Sequence, residues 1–391
     1  MRPSVVIVGG GVVGSAAACF LARDHGLAPV VLERDPRYTV ASSTLSASGL
    51  RQQFSTEINI RLSQASLAFL RRAADELAVD GEPAVVPWLE AGYLTLAGSD
   101  AGAVVLRERH ALQRRCGADI ALLAPDALQA RFPWLRTDDL RLGAWGATGE
   151  GWTDGWALLQ ALRRKARACG ARFEAVDATR LDMHGARVRG VVDAAGRTWA
   201  ADEVLLCAGA WSAALLAPLG IDLPVRPERR DVFVFDSPAP VPGCPLVIDP
   251  SGLWFRPEGT GWLCGAPPRR PSGPVAHAAP SDHIDHAQFD DVLWPALAHR
   301  VPGFEALRRR SAWAGYYDMN TFDHNALIGA WPGLDGLLMA CGFSGHGLQQ
   351  APAAAQALVA RLTGTPAWVD VAPLSPARVD GRRPLRENHV I

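Results

Sequence analysis

The glycines near the beginning of the chain have the spacing of a phosphate-binding loop. Gly9, Gly11 and Gly14 form a GxGxxG motif directly after the apolar run Val5–Val8. In such a motif the first glycine makes a tight turn, the second lets the backbone approach a pyrophosphate, and the third lets helix and strand pack closely. A second apolar run ends at Glu33, whose carboxylate suits ribose hydroxyls and would repel the 2′-phosphate of NADP. The pattern predicts one tightly held dinucleotide.

A second glycine-rich stretch, CGFSGHGLQQAP at residues 341–352, surrounds His346. The histidine could be a catalytic base, the partner of Cys341 in a nucleophile pair, a metal ligand or a residue of a tight turn. We expect Cys341 to end a buried strand as a small core residue, which disfavours the nucleophile pair. Residues 342–347 are predicted to turn into a helix whose N-terminus favours negative charge, with Pro352 near its first turn.

Length, charge and cysteine usage restrict the class of protein. The chain has 391 residues and a formal net charge of −1, so no charge excess attracts nucleic acid or anionic lipid. Its seven cysteines lie far apart without a CxxC pair, which is typical of a reducing compartment. No apolar run reaches the roughly 18 residues of a spanning helix, and the first predicted strand leaves no room for a signal peptide. We expect a soluble, cytoplasmic protein of two domains.

The basic residues are unusual, because Lys165 is the only lysine among the 39 lysines and arginines. A cation in a functional site must then be an arginine or a histidine, and a Schiff-base lysine is not expected. His283 and His286 are spaced like two metal ligands, but no third ligand is evident, so we expect no metal site. Four further arginines are expected at the surface, namely Arg378, Arg382, Arg383 and Arg386.

The elements around these motifs predict a mixed α/β fold. Helical spacing of apolar residues marks residues 57–79, 100–116 and 284–300, and a helix capped by Asp154 should end at Gly170. Alternating or β-branched runs mark strands at residues 88–98, 204–207, 232–235, 253–255, 262–264 and 311–317. The pattern favours a Rossmann-like domain together with a second domain built on an antiparallel β-sheet.

Several longer motifs resemble the D-amino-acid oxidase and sarcosine oxidase superfamily of FAD-dependent oxidoreductases. These motifs are VIVGGGVVG and VVLE within residues 5–33, VLLCAGAWS at 204–212, and ACGFSGHGLQQAP at 340–352. Four blocks are most similar to the branch containing the mitochondrial flavoprotein implicated in complex I assembly, namely SSTLSASGLRQQFS (42–55), DPSGLWFRPEG (249–259), WAGYYDMNTFDHN (313–325) and GFSGHGLQQAP (342–352). The resemblance implies an FAD-binding domain from residues 1–80, 150–224 and 315–391, and a substrate-binding domain from 81–149 and 225–314.

The resemblance also implies which residues contact FAD. The first glycine motif would hold the ADP half, and the late glycine stretch would line the pyrimidine edge of the flavin ring. His346 would then contribute to the electrostatic environment of the flavin, with a purely structural turn as the alternative. The FAD residues implied are Gly9, Gly11, Val12, Val13, Gly14, Glu33, Arg34, Ser42, Ser43, Thr44, Ser48, Gly49, Leu50, Ala178, Ala208, Gly209, Trp211, Gly345, His346, Gly347, Leu348 and Gln349. Covalent members attach flavin through Cys or His, which residues 35–60 lack, so we expect non-covalent FAD.

Substrate residues follow from the same resemblance. Arg51 matches an arginine that binds the substrate carboxylate in sarcosine oxidase, and a guanidinium fork suits that role; an arginine that joins two loops is the alternative. The sequence does not decide whether Tyr316 or Tyr317 meets the substrate. Sarcosine oxidases place a lysine that promotes the oxygen reaction near Leu263, and a second lysine that binds the substrate carboxylate at Gln349. Because no lysine is available here, we expect a dehydrogenase or an oxidase slow with oxygen. The implied substrate residues are Arg51, Tyr316, Tyr317, Gln349 and Leu263, with Arg51, His346 and Tyr317 as candidates for catalysis.

The resulting hypothesis is an FAD-dependent oxidoreductase that oxidises the C–N bond of a small amine or amino acid. Hydride would pass to flavin N5, and the imine would then be hydrolysed. The electron acceptor could be oxygen, a quinone or an electron-transfer protein. Two alternatives are a flavin-containing assembly or binding protein with little turnover, and an FAD-dependent 2-hydroxy-acid dehydrogenase.

Overall fold

A six-stranded sheet lies at the centre of the fold, in a computed structural model that describes residues 3–269 and 284–390. The strands in chain order are β1 (Val5–Val8), β2 (Val30–Glu33), β3 (Gly49–Leu50), β4 (Trp88–Leu89), β5 (Tyr93–Ala97), β6 (Ile120–Leu123), β7 (Leu142–Gly146), β8 (Gly151–Thr153), β9 (Arg172–Ala175), β10 (Ala178–His184), β11 (Arg187–Asp193), β12 (Thr198–Ala200), β13 (Glu203–Leu206), β14 (Val225–Asp236), β15 (Leu246–Ile248), β16 (Trp254–Glu258), β17 (Gly261–Gly265), β18 (Arg308–Asn320), β19 (Leu327–Ala330) and β20 (Leu337–Cys341). The helices are α1 (Val12–His25), α2 (Glu57–Leu70), α3 (Ala73–Glu76), α4 (Asp100–Arg115), α5 (Pro125–Arg131), α6 (Gly155–Ala168), α7 (Ser212–Leu216), α8 (His286–Gln288), α9 (Trp294–Arg300), α10 (Gly347–Thr363) and α11 (Ala377–Asp380).

The central sheet explains the uninterrupted apolar runs of the sequence. Its order is β19-β20-β13-β1-β2-β9, and its neighbouring strands are parallel except for β19 and β20. Ile7 and Leu205 pack with helices α1, α6 and α10 on one face. Val6 and Val204 pack on the other face with the sheet β10-β11-β12 and α7. Strands covered on both faces need apolar residues at every position.

The last long helix differs from the prediction at Pro352. Helix α10 begins at Gly347, so Pro352 is its sixth residue and lies beyond the first turn. A proline there removes the hydrogen bond that residue 352 would donate to the carbonyl of Leu348. Ala353 and Ala354 beside it are fully buried in the core shared with α1, so tertiary packing outweighs the lost bond.

The second large sheet has eight strands in the order β18-β14-β17-β16-β15-β5-β7-β6. It is antiparallel as predicted, except between β5 and β15. Those two strands come from separate segments of the chain and are not joined by a hairpin, so no turn imposes antiparallel pairing. The long pair β14 and β18 sets Tyr316 opposite Arg229 and Tyr317 opposite Glu228. Both predicted substrate tyrosines lie near the C-terminal end of β18.

Other predicted elements are present with shifted ends. The helix predicted for residues 57–79 is divided into α2 and α3, because Arg72 between them leaves the helical conformation. The strand predicted for residues 88–98 is interrupted at Gly92, whose φ of 87° separates β4 from β5. Asp154 caps α6 as expected by accepting a hydrogen bond from the Ala157 N–H, and the helix ends two residues before Gly170.

The expectation of four surface arginines is wrong for Arg378. This residue is buried, and its Nε donates to the Asp323 carboxylate at 2.7 Å. Arg382, Arg383 and Arg386 are exposed, as expected. The buried ion pair ties α11 to the turn after β18, which holds the following residues against the protein.

The two large sheets follow the predicted division of the chain, apart from β18. The strands of the central sheet belong to residues 1–80, 150–224 and 315–391, and most of the second sheet belongs to 81–149 and 225–314. Strand β18 runs through residue 315 without a break, so a boundary at that residue would divide a strand. The division of the chain into two domains remains a prediction.

We predict that Arg300→Met lowers the free energy of unfolding by about 3 kcal/mol, because it leaves a buried carboxylate without its cation. Arg300 Nε donates to Asp249 Oδ2 at 2.6 Å, and Nη1 donates to Asp139 at 2.8 Å. Urea denaturation measures the change. The control Arg310→Met removes an exposed arginine paired with Asp236 and should change stability by less than about 0.5 kcal/mol. Equal losses for the two variants would contradict the prediction.

Candidate active site

A cavity of about 440 Å³ opens at the carboxyl ends of β1, β2 and β13, facing the end of β18. Ligands of open α/β sheets bind at this edge. The cavity wall contains many of the residues that the sequence singled out: Gly9, Gly11, Val12, Val13, Glu33, Arg34, Ser42, Ser43, Ala178, Ala208, Gly209, Trp211, Tyr316, Tyr317, Gly345, Gly347 and Leu348. The structure therefore brings the two glycine-rich stretches together at one cavity.

The first glycine stretch presents main-chain N–H groups to the cavity. Helix α1 begins directly after Gly11, with no side-chain cap and no acidic residue in its first turn. The N–H groups of Val12 and Val13 therefore remain available, and the helix dipole adds partial positive charge. Ser43 Oγ lies across from Gly11, buried and without a hydrogen-bond partner in the described residues. These groups can hold an anion such as a pyrophosphate.

Glu33 ends β2 at the wall of the cavity. Its two carboxylate oxygens accept hydrogen bonds from the Gly10 N–H at 2.8 Å and the Asp35 N–H at 2.9 Å. Burial raises the pKa of this carboxyl above its usual range. Each carboxylate oxygen can accept more than one hydrogen bond, so the group can also take a hydroxyl from a ligand.

Trp211 forms another part of the wall, in the turn that follows β13. The guanidinium of Arg34 lies over its ring at 4.1 Å, and Tyr316 meets it edge-on with ring centroids 6.1 Å apart. Its indole Nε1 is buried without an acceptor among the described residues. A buried N–H of this kind suits a hydrogen-bond acceptor on a ligand.

The second glycine stretch lies at the end of β20, where the cavity meets Tyr317. Gly345 has a φ of 91°, and a Cβ at this position would overlap the Tyr317 ring. Helix α10 then begins at Gly347, again without a side-chain cap or an acidic residue in its first turn. Its N-terminus can therefore stabilise negative charge on a ligand in the cavity.

Asp318 is a residue of the cavity wall that the sequence interpretation missed. Burial raises the pKa of its carboxyl to about 6, and the nearby main chain of Phe343 and Gly342 opposes the rise. The sequence offers one signal, because Asp318 directly follows Tyr316 and Tyr317 in the same strand. The carboxyl places a titratable group beside the second glycine stretch.

Several predicted FAD and substrate residues lie outside the cavity wall. Thr44 Oγ1 donates to the Tyr38 carbonyl at 2.7 Å and so closes a turn. Gly14 packs against Gly9, where a Cβ would overlap the Gly9 carbonyl oxygen. The residues outside the wall are Gly14, Thr44, Ser48, Gly49, Leu50, Arg51, Leu263, His346 and Gln349. Several of them have hydrogen bonds or packing contacts with other parts of the protein.

Ser48, Gly49 and Leu263 are three of the predicted residues that lie outside the cavity wall. Ser48 is hydrogen bonded to Ser46, and Gly49 lies against the Tyr93 hydroxyl. Leu263 is buried within a cluster of side chains from the eight-stranded sheet. These three positions pack around the cavity, and their predicted contacts with FAD or substrate remain predictions.

Arg51 forms a second, buried cluster next to the α10 turn. Its Nη1 donates to the Gln53 carbonyl at 2.5 Å, and its Nη2 donates to the His389 carbonyl at 2.6 Å. Its Nη2 also lies 3.2 Å from His346 Nε2, and its main-chain N–H donates to Gln349 Oε1 at 2.9 Å. The cluster lies next to the cavity, because His346 directly precedes Gly347, which lines the wall, and Gln349 follows it by two residues.

The charge environment of Arg51 differs from that of the other fully buried arginines. Arg300 and Arg378 each pair with aspartates, and Arg256 pairs with Glu258. Among the described residues, no carboxylate forms an ion pair with Arg51, and its acceptors are neutral. Burial lowers its pKa, although the guanidinium remains charged. A buried cation that lacks a carboxylate partner is suited to receive an anionic group.

The two histidines at Arg51 are neutral. Burial, together with the positive charge of Arg51, holds the pKa of both His346 and His389 well below the usual range. An arginine has only donors, so His346 Nε2 fits as an acceptor with its proton on Nδ1. His346 therefore carries no positive charge toward the cavity.

Two buried carboxyl groups lie near Arg51 without contacting its guanidinium. Glu150 accepts from the Gln52 and Gln53 N–H groups, and burial raises its pKa to about 7. Glu387 is fully buried, and both carboxylates oppose the loss of charge on Arg51. Sequence reasoning found neither group, because their partners are distant in the chain.

Two negative findings concern the described residues alone. Residues 3–269 and 284–390 contain no group of three or more His, Cys, Asp and Glu side chains arranged to hold a metal, and His283 lies outside them. Within the same residues, none of the helices combines the length and the apolar composition that crossing a lipid bilayer requires.

Comparison with known proteins identifies the family. The sequence model described as FAD dependent oxidoreductase (DAO) matches residues 4–361. The chain belongs to the DAO family. FAD-dependent oxidoreductase domain-containing protein 1 of Xenopus laevis is 38% identical and covers 100% of this chain and 85% of its own length. Glycine oxidase of Geobacillus kaustophilus is 28% identical, and the match covers 97% of this chain and 98% of the length of that protein.

Solved structures have the same architecture as this DAO-family protein. Glycine oxidase from Geobacillus kaustophilus gives a TM-score of 0.81 at 25% identity, with 96% of this chain and 99% of that chain covered. L-proline dehydrogenase from P. horikoshii gives a TM-score of 0.84 at 24% identity, with 98% of this chain and 99% of that chain covered. At this identity the likeness shows the fold alone. The protein is therefore an FAD-dependent oxidoreductase with the expected fold class.

The cavity of the DAO-family protein fits FAD. Ser43 Oγ and Trp211 Nε1 are buried polar atoms that lack protein partners within the described residues. The uncapped start of α1 suits the pyrophosphate, and that of α10 suits an electron-rich ring edge. Glu33 lies beside the first of these positions, where a ribose hydroxyl would need an acceptor.

Two glycines of the first motif should respond differently to substitution by alanine. Gly14→Ala should lower the free energy of unfolding of the FAD-free protein by about 2 kcal/mol, because the new Cβ overlaps the Gly9 carbonyl. Gly11→Ala should change stability by less than about 0.5 kcal/mol, because its Cβ meets Ser43 Oγ at an ordinary 3.7 Å. FAD affinity should nevertheless fall in Gly11→Ala. Urea denaturation and FAD titration measure both effects, and equal destabilisation by the two changes would refute the distinction.

The second prediction concerns Asp318. Its ordinary pKa in an unfolded chain is about 3.9, and burial raises it to about 6 in the folded protein. The FAD-free wild type should therefore lose stability relative to Asp318→Asn as pH rises from about 4 to about 6, with a constant difference above about pH 7. Urea midpoints across this range measure the difference, with exposed Asp222→Asn as the control. A pH-independent difference would show that Asp318 titrates normally.

Proposed function

We propose that this protein oxidises the C–N bond of a small amine or amino acid that carries a carboxylate. FAD would supply the redox chemistry, because it can accept a proton and two electrons together, as a hydride, from the carbon next to nitrogen. The resulting imine adds water and separates into a carbonyl compound and an amine or ammonia. The name of the related glycine oxidase supports an amino acid of small size.

The charge state of Arg51 carries the proposal. Its guanidinium is buried, has no carboxylate partner in the described part of the chain, and contacts the turn that begins α10. A substrate carboxylate would supply the missing negative charge and could bind two N–H groups at once. An arginine that served only to join loops would gain more from an internal aspartate or glutamate, as Arg300 does with Asp249.

The surrounding residues would orient such a substrate. Tyr316 and Tyr317 line the cavity, and Tyr317 packs against Gly345 at the end where α10 begins. Orientation of the reacting carbon is the main contribution that a protein makes to cofactor chemistry. His346 is neutral and outside the wall, so we assign it to positioning of Arg51 and the turn rather than to proton transfer.

The electron acceptor is a further part of the proposal. The position expected to hold the lysine that promotes the oxygen reaction is a buried leucine, Leu263. Lys165, which lies on α6, donates to the Ala78 carbonyl at 2.6 Å and does not line the cavity. We therefore favour a dehydrogenase that passes electrons to a quinone or an electron-transfer protein, or an oxidase slow with oxygen. Non-covalent FAD remains our expectation, and heat or acid should release it from the protein.

An anaerobic reduction screen tests the proposal. N-methyl amino acids, free amino acids, matched amines without a carboxylate and 2-hydroxy acids are each added to the holoenzyme, and loss of the visible flavin absorbance is recorded. Amino acids should reduce the flavin. Arg51→Met should raise the half-saturating amino acid concentration by roughly 30-fold or more, because the carboxylate loses a charged partner worth about 2 kcal/mol or more.

Arg51→Lys and the matched amines provide the controls. Lysine keeps the charge but loses the fork, so its effect should be intermediate. The amines without a carboxylate should react no worse with Arg51→Met than with the wild type. Equal losses for both substrate classes would show a structural role. If only 2-hydroxy acids reduce the flavin, the reaction is a C–O oxidation, and reduction by no compound together with a stable protein partner would favour an assembly or binding role.

A further inference from the structure

Residues 385–390 form an extended segment beside Arg51, which we call the strap. Its side chains alternate between solvent and the protein interior, as in any extended chain. Arg386 and Asn388 are exposed, whereas Glu387 and His389 are buried. One face of the strap therefore packs on the Arg51 cluster, and the other meets solvent.

Glu387 anchors the strap at its centre. Its carboxylate accepts hydrogen bonds from the N–H and hydroxyl groups of both Ser55 and Thr56, at 2.6 to 3.1 Å, and from the Asn59 amide at 3.0 Å. Ser55 Oγ in turn accepts from the Asn388 N–H at 2.8 Å. Hydrogen bonds to an ionised carboxylate are the stronger kind, so this point holds firmly.

The outer contacts of the strap are weaker. On helix α4, Arg109 donates to the Asn388 carbonyl at 3.0 Å, and this contact is exposed. A single hydrogen bond at the surface contributes little to stability. At His389 the closed strap also has a hydrogen bond from the main-chain N–H to Glu387 at 3.0 Å and a contact of ring Nδ1 with the Gln53 carbonyl at 2.7 Å, and both must break when residues 388–390 are released.

His389 is the contact between the strap and Arg51. Its carbonyl oxygen accepts from Nη2 at 2.6 Å, and its ring Nδ1 lies 3.0 Å from Nη1. His389 therefore occupies both terminal nitrogens of the guanidinium, the groups that a carboxylate would bind. A carbonyl is neutral, whereas a carboxylate adds the attraction between two full charges to its hydrogen bonds with the guanidinium. A carboxylate that reached Arg51 would therefore displace the carbonyl.

We propose that the strap is a displaceable cover on Arg51: a carboxylate that binds the guanidinium replaces the His389 carbonyl and releases residues 388–390. This inference rests on the proposed function, because it takes Arg51 as the carboxylate receptor. The apparent affinity for every carboxylate is the intrinsic affinity multiplied by the fraction of molecules in which the strap is open. An uncharged ligand lacks the charge that opens it, so the strap also adds selectivity for carboxylates.

Acetate is the probe, because it is a carboxylate that has no C–N bond to oxidise. Titration of the holoenzyme with acetate, at constant ionic strength, should perturb the flavin absorbance, whereas acetamide should not. Arg109→Gln and Ser55→Ala each remove strap contacts without touching Arg51, and each should tighten acetate binding about five-fold. Arg107→Gln, an exposed change on the same helix, should have no effect, and Arg51→Met should abolish binding.

Hydrogen exchange supplies a second readout. The N–H groups of Asn388 and His389 bond to Ser55 and Glu387 in the closed strap, so saturating acetate should accelerate their exchange in the wild type. Weaker or unchanged acetate affinity in both strap variants, or unchanged or slower exchange, would overturn the proposal. Failure of the amine screen alone would leave acetate binding and strap release intact, so the two proposals can fail separately.

Discussion

The burial of one positive charge without a carboxylate beside it is the constraint on which the site depends. Transfer of a charged group into a protein interior costs several kcal/mol unless hydrogen bonds and nearby charges offset it. Arg51 meets this requirement with the Gln53 carbonyl of its own loop and with the His346 ring and the His389 carbonyl, which come from two distant parts of the chain. These segments must therefore be in place together whenever the protein is folded without a ligand. Because Arg51 contacts both His346 and His389, it connects the turn that begins α10 with the strap.

The central sheet explains why the two glycine-rich stretches serve one ligand without competing. Strands β1 and β20 precede α1 and α10, and only β13 lies between them. The three strands are parallel, so both helices begin at the same edge of the sheet, roughly 10 Å apart by the spacing of strands. An extended dinucleotide can thus meet one positive helix end with its phosphates and the other with its ring. The lack of acidic residues in both first turns keeps this edge favourable for negative charge.

The features that the sequence predicted are those with a local cause. The run Val5–Val8, the glycine motif and Glu33 follow one another in the chain, so their spacing alone implies a strand, a turn and a helix. Arg51 was singled out only by resemblance, because its environment is made by partners up to 338 residues away. Glu387 and His389 lay in a segment that looked like an exposed arginine-rich tail. Their burial depends on tertiary contacts that leave no period or motif in the sequence.

The ionisation of the cluster follows from the same buried charge. His346 and His389 cannot gain protons near neutral pH, because they are buried and face Arg51. The response of the site to pH therefore comes from carboxyl groups whose pKa values burial has raised, about 7 for Glu150 and about 6 for Asp318. Protonation of Glu150 withdraws a negative charge that helps to balance Arg51. Mild acid thus increases the demand of the guanidinium for an anion, and the carboxylate of a substrate is the group that can meet it.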